Sequence, residues 1–196
     1  MKSHFIASST RQDILSTLIR VLPDTPGIGI IHSSLPRLLP PVDFSPWDAL
    51  YALDALIQRG WTIALPAFTF SFCRGTPFNA RTSPSETGIL ADQLLKNFPL
   101  ALRTPHPIYS FVVLGARADE IASCPSTTTW GDDSPFGLFE REQATIVMLG
   151  CSWSYNTLFH RYEELSQVPY RYPKVFSGVA DFGSGPHPVE AIMWVR

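Results

Sequence analysis

The sequence predicts an α/β protein whose β-sheet is at least partly parallel, and three observations carry this prediction. Short apolar strands alternate with amphipathic helices, an order that favours helices packed on a sheet. The segments GIGIIHSSL (27–35) and WTIALPAFTF (61–70) are predicted strands separated by a helical segment, as in a parallel crossover. The segment ATIVMLGC (144–151) is almost entirely apolar, which is typical of a central strand buried on both faces.

Two helices in the first third of the chain are predicted from apolar spacing and from end signals. Residues 8–23 place apolar side chains at helical intervals, with the hydroxyl residues 8–10 as candidate N-caps. Residues 45–61 follow the same pattern, with Pro46 in the first turn and Gly60 just past the end. Both segments are therefore expected to pack one apolar face on the sheet.

A third helix is predicted over residues 83–98 from a capping box. Ser83 is the expected N-cap, Pro84 the first helical residue, and Glu86 the acidic residue three positions after the cap. The later elements follow from the same signals: a strand at 108–115, a short helix at 116–123, a polar loop at 127–137, a helix at 156–165, and extended segments at 168–180 and 189–196 joined by a Gly/Pro turn.

Composition limits the classes of function. The chain has 196 residues, a length that predicts one domain, and its 15 basic and 17 acidic residues provide no field for binding nucleic acid or an anionic membrane. Three widely spaced cysteines fit reduced thiols better than disulfides or a zinc site. Neither a signal peptide nor an apolar run of membrane-spanning length is visible, so the expected location is the cytoplasm.

The stretch RTPHPIYSF (103–111) holds His106 between two prolines. Pro105 and Pro107 bias this region towards extended backbone, so His106 is not expected in a helix. One interpretation is a structural turn histidine that precedes a strand. The other is an acid/base group held in one orientation.

The predicted helix at 156–165 places Asn156, His160 and Glu163 on one stripe. A polar stripe that begins after a sheet strand points to the usual ligand crevice of an α/β sheet. The alternative is a solvated face with an ordinary His160–Glu163 pair. No third local ligand supports a metal site here.

The segment GCSWS (150–154) resembles the nucleophile turn of a serine hydrolase. Ser152 would be the nucleophile, and Asp181 and His187 follow in the order of the α/β-hydrolases. The match is partial because Ser154 replaces the second glycine. Cys151 is a poor nucleophile candidate because no neighbour in sequence explains a reactive thiolate.

Two loops carry further candidate contacts. The HSSL turn (32–35) offers hydroxyls and amides that would suit a phosphate or a pantetheine amide, although a simple turn has the same composition. The loop WGDDSPFG (130–137) places Asp132 and Asp133 beside an aromatic residue. It would suit a cationic, hydroxylated ligand or be an ordinary solvated loop.

Taken in order, the motifs HSSL, PAFTF, TSPSETG, RTPHPIYSF, GDDSPFG and LGC…NTLFH resemble the aminoglycoside 3-N-acetyltransferase (antibiotic N-acetyltransferase) family from about residue 30 to residue 178. The resemblance implies a three-layer α/β/α fold with a mixed, largely parallel central sheet. It implies transfer of an acetyl group from acetyl-CoA, as co-substrate and without a metal, to an amine of an aminoglycoside or amino sugar. Compared with the family, the domain 1–196 is expected to be shortened at its C-terminus.

The resemblance assigns roles to specific residues. The HPxxS motif corresponds to His106 and Ser110, and the NTxxHxxE motif to Asn156, Thr157, His160 and Glu163. The expected catalytic group is His106, Glu163, His160 and Ser110; the expected cofactor-binding residues are His32, Ser33, Ser34, Leu35, Ser85 and Thr104; and the expected substrate-binding residues are Asp132, Asp133 and Asn156.

The predicted mechanism makes His106 the general base that deprotonates the acceptor amine, with Glu163 orienting its ring. Hydroxyls or amides near Ser110 or the HSSL turn would support the thioester oxyanion. The segments around 69–79 and 168–176 resemble those of family members associated with surface-polysaccharide synthesis, which implies an amino-sugar acceptor rather than an antibiotic. Two alternatives stay open: a serine hydrolase using Ser152, and a non-catalytic relative that only binds CoA. The oligomeric state is left open, including a homo-oligomer.

Overall fold

The computed structural model describes residues 2–37, 46–125 and 128–196. Its helices are α1 Lys2–Val21, α2 Pro46–Ile57, α3 Ile89–Asn97, α4 Ala118–Ala122, α5 Pro135–Arg141 and α6 Phe159–Leu165. Its strands are β1 Ile28–Ser33, β2 Thr62–Pro66, β3 Phe78–Asn79, β4 Leu102–Arg103, β5 Phe111–Leu114, β6 Thr145–Leu149, β7 Tyr172–Asp181 and β8 His187–Val195. Among the helices described, none combines the length and hydropathy needed to cross a bilayer.

The main sheet has five strands in the order β4-β5-β2-β1-β6. Strand β1 runs parallel to β2 and β6, whereas β5 runs antiparallel to β2 and β4. The mixed α/β fold is therefore confirmed, but the sheet is parallel in only half of its pairings. Strand β6, predicted as central from its apolar sequence, lies at the edge. A second sheet has the order β3-β7-β8, in which β7 and β8 form a long hairpin.

Apolar side chains cover both faces of the main sheet. On one face, α1, α2 and α3 contribute Leu18, Leu53 and Leu94, which pack with Ile63 of β2. On the other face, α4, α5 and the second sheet enclose an aromatic cluster that includes Phe68, Phe72, Phe78, Phe111, Trp130, Phe136 and Phe139. Strand residues alternate between these two cores, as the period of two in a strand requires.

The capping-box prediction at residues 83–98 is wrong. Helix α3 begins only at Ile89, after Gly88 as N-cap and without a side-chain cap. The Ser83 hydroxyl instead accepts a hydrogen bond from the Asn79 amide, and the Glu86 carboxylate accepts one from the Ser71 amide. These long-range contacts hold the segment as a loop beside the sheet, where it reaches the cleft described below.

Two other helix boundaries differ from the sequence-based expectation. Helix α1 begins at Lys2, so the candidate caps at 8–10 lie inside it. Helix α5 begins in the segment predicted as polar loop, where the Ser134 hydroxyl accepts a hydrogen bond from the Gly137 amide as an N-cap does. A third boundary differs as well, because α6 begins at Phe159 and the backbone of Asn156, predicted as its first residue, is extended. The remaining predicted strands and helices are present.

Gly115, which follows β5, is a position where a side chain would be costly. Its φ is +128°, and a Cβ there would lie 2.6 Å from the Thr62 Cα. We expect Gly115→Ala to lower the free energy of unfolding by about 2–4 kcal/mol, because it combines a backbone clash with strain. Gly75→Ala is the control, since its φ is +86° with no heavy atom within 4 Å of the added Cβ, and it should cost about 1 kcal/mol. Equal losses in urea unfolding would contradict this account.

Candidate active site

A cleft of about 470 Å³ opens at the carboxyl ends of β1 and β2. Residues His32 to Ser34 at the end of β1 form one wall, the loop and first turn of α3 form another, and the segment from Cys151 to His160 closes the third side. Ligands of open α/β sheets bind at this end of the strands, so the fold places the cleft where a substrate is expected.

His160 lines this cleft and is paired with a carboxylate behind it. Its Nδ1 lies 2.5 Å from Oε2 of Glu163, one turn further along α6. The His160 side chain is 32% exposed, whereas that of Glu163 is only 4% exposed. Because the carboxylate accepts a hydrogen bond, Nδ1 carries the proton and Nε2 is left available to the cleft. This is the arrangement that a histidine general base requires.

Glu163 is held by groups from the segment that leads into β7. The Tyr170 hydroxyl donates to its Oε1 at 3.0 Å, and Arg171 Nε lies 2.7 Å from its Oε2. Burial alone would raise the pKa of the Glu163 carboxyl, but the hydrogen bonds from His160 and Tyr170 and the charge of Arg171 outweigh it and lower that pKa. Glu163 is therefore an anion at neutral pH.

His106 does not occupy the position expected of a general base. Its ring is 4% exposed and does not line the cleft. Nδ1 accepts hydrogen bonds from the amides of Ile108 and Tyr109, and Nε2 lies 3.0 Å from the Thr129 hydroxyl. The predicted contact between His106 and Glu163 is wrong, because Glu163 pairs with His160. With both ring nitrogens engaged, His106 stabilises the turn before β5, and burial lowers its pKa to about 4.

The buried state of His106 predicts a specific acid sensitivity. A free histidine titrates near pH 6.5, so between about pH 6.5 and pH 4 the unfolded chain binds a proton that the folded chain excludes. Stability is therefore complete above this window and falls as the pH is lowered through it, by about 3 kcal/mol at most. His106→Asn keeps an acceptor for the two amides but does not titrate. We expect urea unfolding from pH 7 to pH 4.5 to show a smaller loss for this variant than for the wild type; equal losses would contradict the assignment.

Ser110 and Thr104 are also structural. The Ser110 hydroxyl donates to the Ala67 carbonyl and accepts from Arg103 Nε, and the residue has no exposed surface. The Thr104 hydroxyl accepts from the Phe111 amide and is equally buried. Neither side chain lines the cleft, so the expected catalytic role of Ser110 and the expected cofactor contact of Thr104 do not fit their positions.

The HSSL turn is at the cleft, as expected of a cofactor-binding segment. His32, Ser33 and Ser34 line it, but Leu35 points into the core on the helical face of the sheet. Burial lowers the pKa of His32 to about 4, so its ring is neutral at physiological pH. Ser85 does not line the cleft. Its hydroxyl lies 3.2 Å from the hydroxyl of Thr87, a residue that does line the cleft.

Of the three expected substrate-binding residues, only Asn156 lines the cleft. Asp132 is paired with Arg161 of α6 at 2.5 Å, and this hydrogen bond lowers the pKa of the Asp132 carboxyl. Asp133 accepts a hydrogen bond from the Thr128 hydroxyl. Both carboxylates thus belong to the loop that the Arg161–Asp132 ion pair connects to α6. These contacts within the protein account for the two acidic residues without a ligand.

Several residues of the cleft are not predicted by the sequence, among them Tyr109, Glu86 and Arg37. Tyr109 falls in a predicted strand, Glu86 is predicted to be a capping residue, and Arg37 belongs to no predicted site, yet all three line the cleft. Tyr109 has a detectable signal because it lies in the proline-rich turn before β5. Glu86 could not be found from spacing, because it reaches the cleft through a loop held by contacts with Ser71 and Arg74. Arg37 lies in a short 3-10 helix that begins at the end of the HSSL turn.

The hydrolase alternative does not fit the structure. The Ser152 hydroxyl accepts a hydrogen bond from the Ser154 amide as a helix cap does, and no histidine among the described side chains is hydrogen-bonded to it. Asp181 accepts from the amides of Gly183 and Gly185 in the β7–β8 turn, and His187 Nδ1 contacts the Gly185 carbonyl. Burial raises the pKa of the Cys151 thiol, which disfavours a thiolate nucleophile. Within residues 2–37, 46–125 and 128–196, no cluster of three potential metal ligands is present.

The sequence profile described as aminoglycoside 3-N-acetyltransferase matches residues 30–183, most of the chain. The chain belongs to this family. One relative, aminoglycoside N(3)-acetyltransferase IV of Salmonella sp, is 26% identical over 167 residues, which are 84% of this chain and 62% of the relative. Another, the aminoglycoside N(3')-acetyltransferase-like protein YokD of Bacillus subtilis (strain 168), is 28% identical over 48% of this chain and 35% of the relative. The chain therefore spans less than two thirds of the length of these relatives.

Solved structures of aminoglycoside acetyltransferases share the fold. AAC-IIIb in a binary complex with CoASH superposes with a TM-score of 0.79 at 20% identity, over 95% of this chain and 76% of that chain. The apoenzyme of AAC(3)-IVa gives a TM-score of 0.74 at 24% identity, over 93% and 69% of the two chains. These likenesses confirm the mixed α/β fold of the family.

Proposed function

We propose that this chain is an acetyl-CoA-dependent N-acetyltransferase that acts on an amine of an aminoglycoside or a related amino sugar, with His160 as general base. One observation carries the proposal: in a member of the aminoglycoside 3-N-acetyltransferase family, a histidine at the cleft is backed by a buried, ionised carboxylate. The role proposed from sequence for His106 passes to His160, because among the histidines whose side chains the structure describes, His160 is the one with both access to the cleft and an acidic partner.

The proposed reaction needs one proton acceptor. The acceptor nitrogen attacks the thioester carbonyl carbon, and His160 Nε2 takes a proton from that nitrogen as the C–N bond forms. The C–S bond then breaks, and the proton passes to the departing sulfur, so that the products are the N-acetylated amine and CoA thiol. During this step Glu163 holds the Nδ1 proton and offsets the positive charge on the ring. No metal is required for this chemistry.

The cleft offers suitable contacts for acetyl-CoA. The hydroxyls of Ser33 and Ser34 can hydrogen-bond to amides of the pantetheine arm, and the Arg37 guanidinium supplies a positive charge for a phosphate. The structure of AAC-IIIb with CoASH supports this choice of co-substrate. We therefore propose the end of β1 as the cofactor side of the cleft.

The proposed acceptor is an aminoglycoside, and a simpler amino sugar is the alternative. AAC-VIa has been solved with sisomicin, and a mutant of AAC(3)-IVa with apramycin. Those two ligands are cationic aminoglycosides, so they favour an antibiotic acceptor over the polysaccharide amino sugar that the sequence suggested. Asn156, next to the base at the cleft, is the expected hydrogen-bonding residue for the acceptor.

A free-thiol assay tests the proposal. Acetyl-CoA is incubated with the protein and a panel of aminoglycosides and amino sugars, and the acetylated amine is identified by mass spectrometry. Thiol release that depends on the amine supports the transferase. Calorimetric binding of CoA without turnover for any amine would instead support the alternative of a non-catalytic relative that only binds CoA.

A further inference from the structure

The side chain of Arg171 lies against both members of the His160–Glu163 pair. Its Nε is 2.7 Å from Glu163 Oε2, and its Nη2 is 3.1 Å from His160 Nδ1. Its Nη1 donates to the Trp194 carbonyl in β8 at 3.1 Å, and only 10% of the side chain is exposed. The guanidinium is thus fixed by the β7–β8 hairpin beside a pair of residues that belongs to α6.

The contact between Arg171 and Nδ1 of His160 is unusual, because an arginine side chain has only hydrogen-bond donors and no acceptor. Nδ1 of His160 faces the Glu163 carboxylate at 2.5 Å and the Arg171 donor at 3.1 Å. The shorter contact requires a proton on Nδ1, so Arg171 adds a positive charge next to a ring that already carries its one proton. A second proton, on Nε2, would make the ring an imidazolium beside a guanidinium, which is repulsive.

We propose that Arg171 is a positioning residue that disfavours a second proton on the His160 ring and holds the Glu163 carboxylate in place. This inference rests on the proposed function, in which Nε2 must accept a proton from the amine. The carboxylate orients the ring and stabilises the imidazolium that forms during reaction. The guanidinium limits that stabilisation, so that the resting ring stays ready to act as a base.

Other charged or polar groups near His160 do not duplicate Arg171. Arg196 Nη2 is 3.9 Å from Glu163 Oε1, on a side chain that is 71% exposed, and Tyr170 contributes a neutral hydroxyl. The Trp130 ring packs edge-on against the imidazole at 5.7 Å. The remaining titratable groups of the cleft lining are His32, Arg37, Glu86, Tyr109, Cys151 and Tyr155. Among the contacts described to His160 itself, Arg171 provides the cationic one.

The test is an NMR titration of the His160 ring protons in the full chain, assigned with a His160→Gln variant. Arg171→Met should move the titration midpoint of His160 upward by about one pH unit, the size expected for loss of a neighbouring like charge. Arg171→Lys keeps the charge and should restore most of the shift. Lys174→Met removes a cation from β7 whose Nζ lies over the Phe176 ring, and it should leave the midpoint unchanged.

The titration separates this inference from the proposed function, because it needs no turnover. An unchanged midpoint in Arg171→Met, or in Arg171→Gln if the methionine variant does not fold, overturns the inference even when the enzyme is active. An upward shift supports it even if no amine is found that the protein acetylates. In an active enzyme the acidic limb of the pH–rate profile should move to higher pH by the same amount, whereas a purely structural role would lower the melting temperature without moving this limb.

Discussion

Replacing His160 with alanine is expected to lower the turnover of acetyl transfer by about 10²–10⁴-fold, the size typical of losing a general base. The acceptor nitrogen attacks as the free amine and becomes positively charged as the C–N bond forms, so a group at the cleft must take one of its protons. His160 is the histidine with both a buried carboxylate on Nδ1 and access to the cleft. The measurement is the steady-state rate of thiol release at saturating acetyl-CoA and amine.

His106→Asn provides the matched control, because it alters the other histidine that the sequence offers as a base. Its asparagine oxygen can still accept from the Ile108 and Tyr109 amides, so the turn before β5 should persist. We expect turnover within a few-fold of the wild type per folded molecule. A folded His106→Asn protein as inactive as His160→Ala, or a His160→Ala protein with full turnover, would return the base role to His106 or remove it from both.

Most of the secondary structure could be predicted because its signals are local. The apolar runs of β2 and β5, the Pro46 start of α2 and the hairpin formed by β7 and β8 all follow from residues within one segment. The order of six motifs also predicted the family correctly. The antiparallel pairing of β5 could not be predicted, because strand order depends on contacts between segments far apart in the chain.

The candidate site was predicted only in part, for the same reason. Helical spacing correctly places His160 and Glu163 one turn apart on α6, whereas Asn156, predicted on the same stripe, lies before the helix and lines the cleft from extended backbone. The rigid setting of His106 gave no information about which groups would surround its ring. The two amides that donate to Nδ1 are near His106 in sequence. Thr129, whose hydroxyl contacts Nε2, is 23 residues away.

The structural role of Arg103 is also not predictable from the sequence. Arg103→Met is expected to lower the free energy of unfolding by about 3–4 kcal/mol. The residue is 8% exposed, and its guanidinium lies 4.8 Å from the centre of the Phe78 ring. Its donors reach Ser110 Oγ at 2.9 Å, the Ala67 carbonyl at 2.6 Å, Thr69 Oγ1 at 2.7 Å and the Ser83 carbonyl at 2.5 Å. Methionine retains much of the apolar contact but leaves these buried acceptors without a charged donor.

The measurement is urea unfolding of Arg103→Met beside Arg74→Met, which removes an arginine whose side chain is 63% exposed and paired with Glu86. The exposed pair should cost at most about 1 kcal/mol, because solvent screens it. Burial lowers the pKa of Arg103 to about 10, but the group stays charged at neutral pH, so its hydrogen bonds persist under the assay conditions. Ala67 and Thr69 flank Phe68 in the cleft wall, so the variant should also weaken acetyl-CoA binding. Similar losses for the two variants would show that Arg103 does not hold this wall in place.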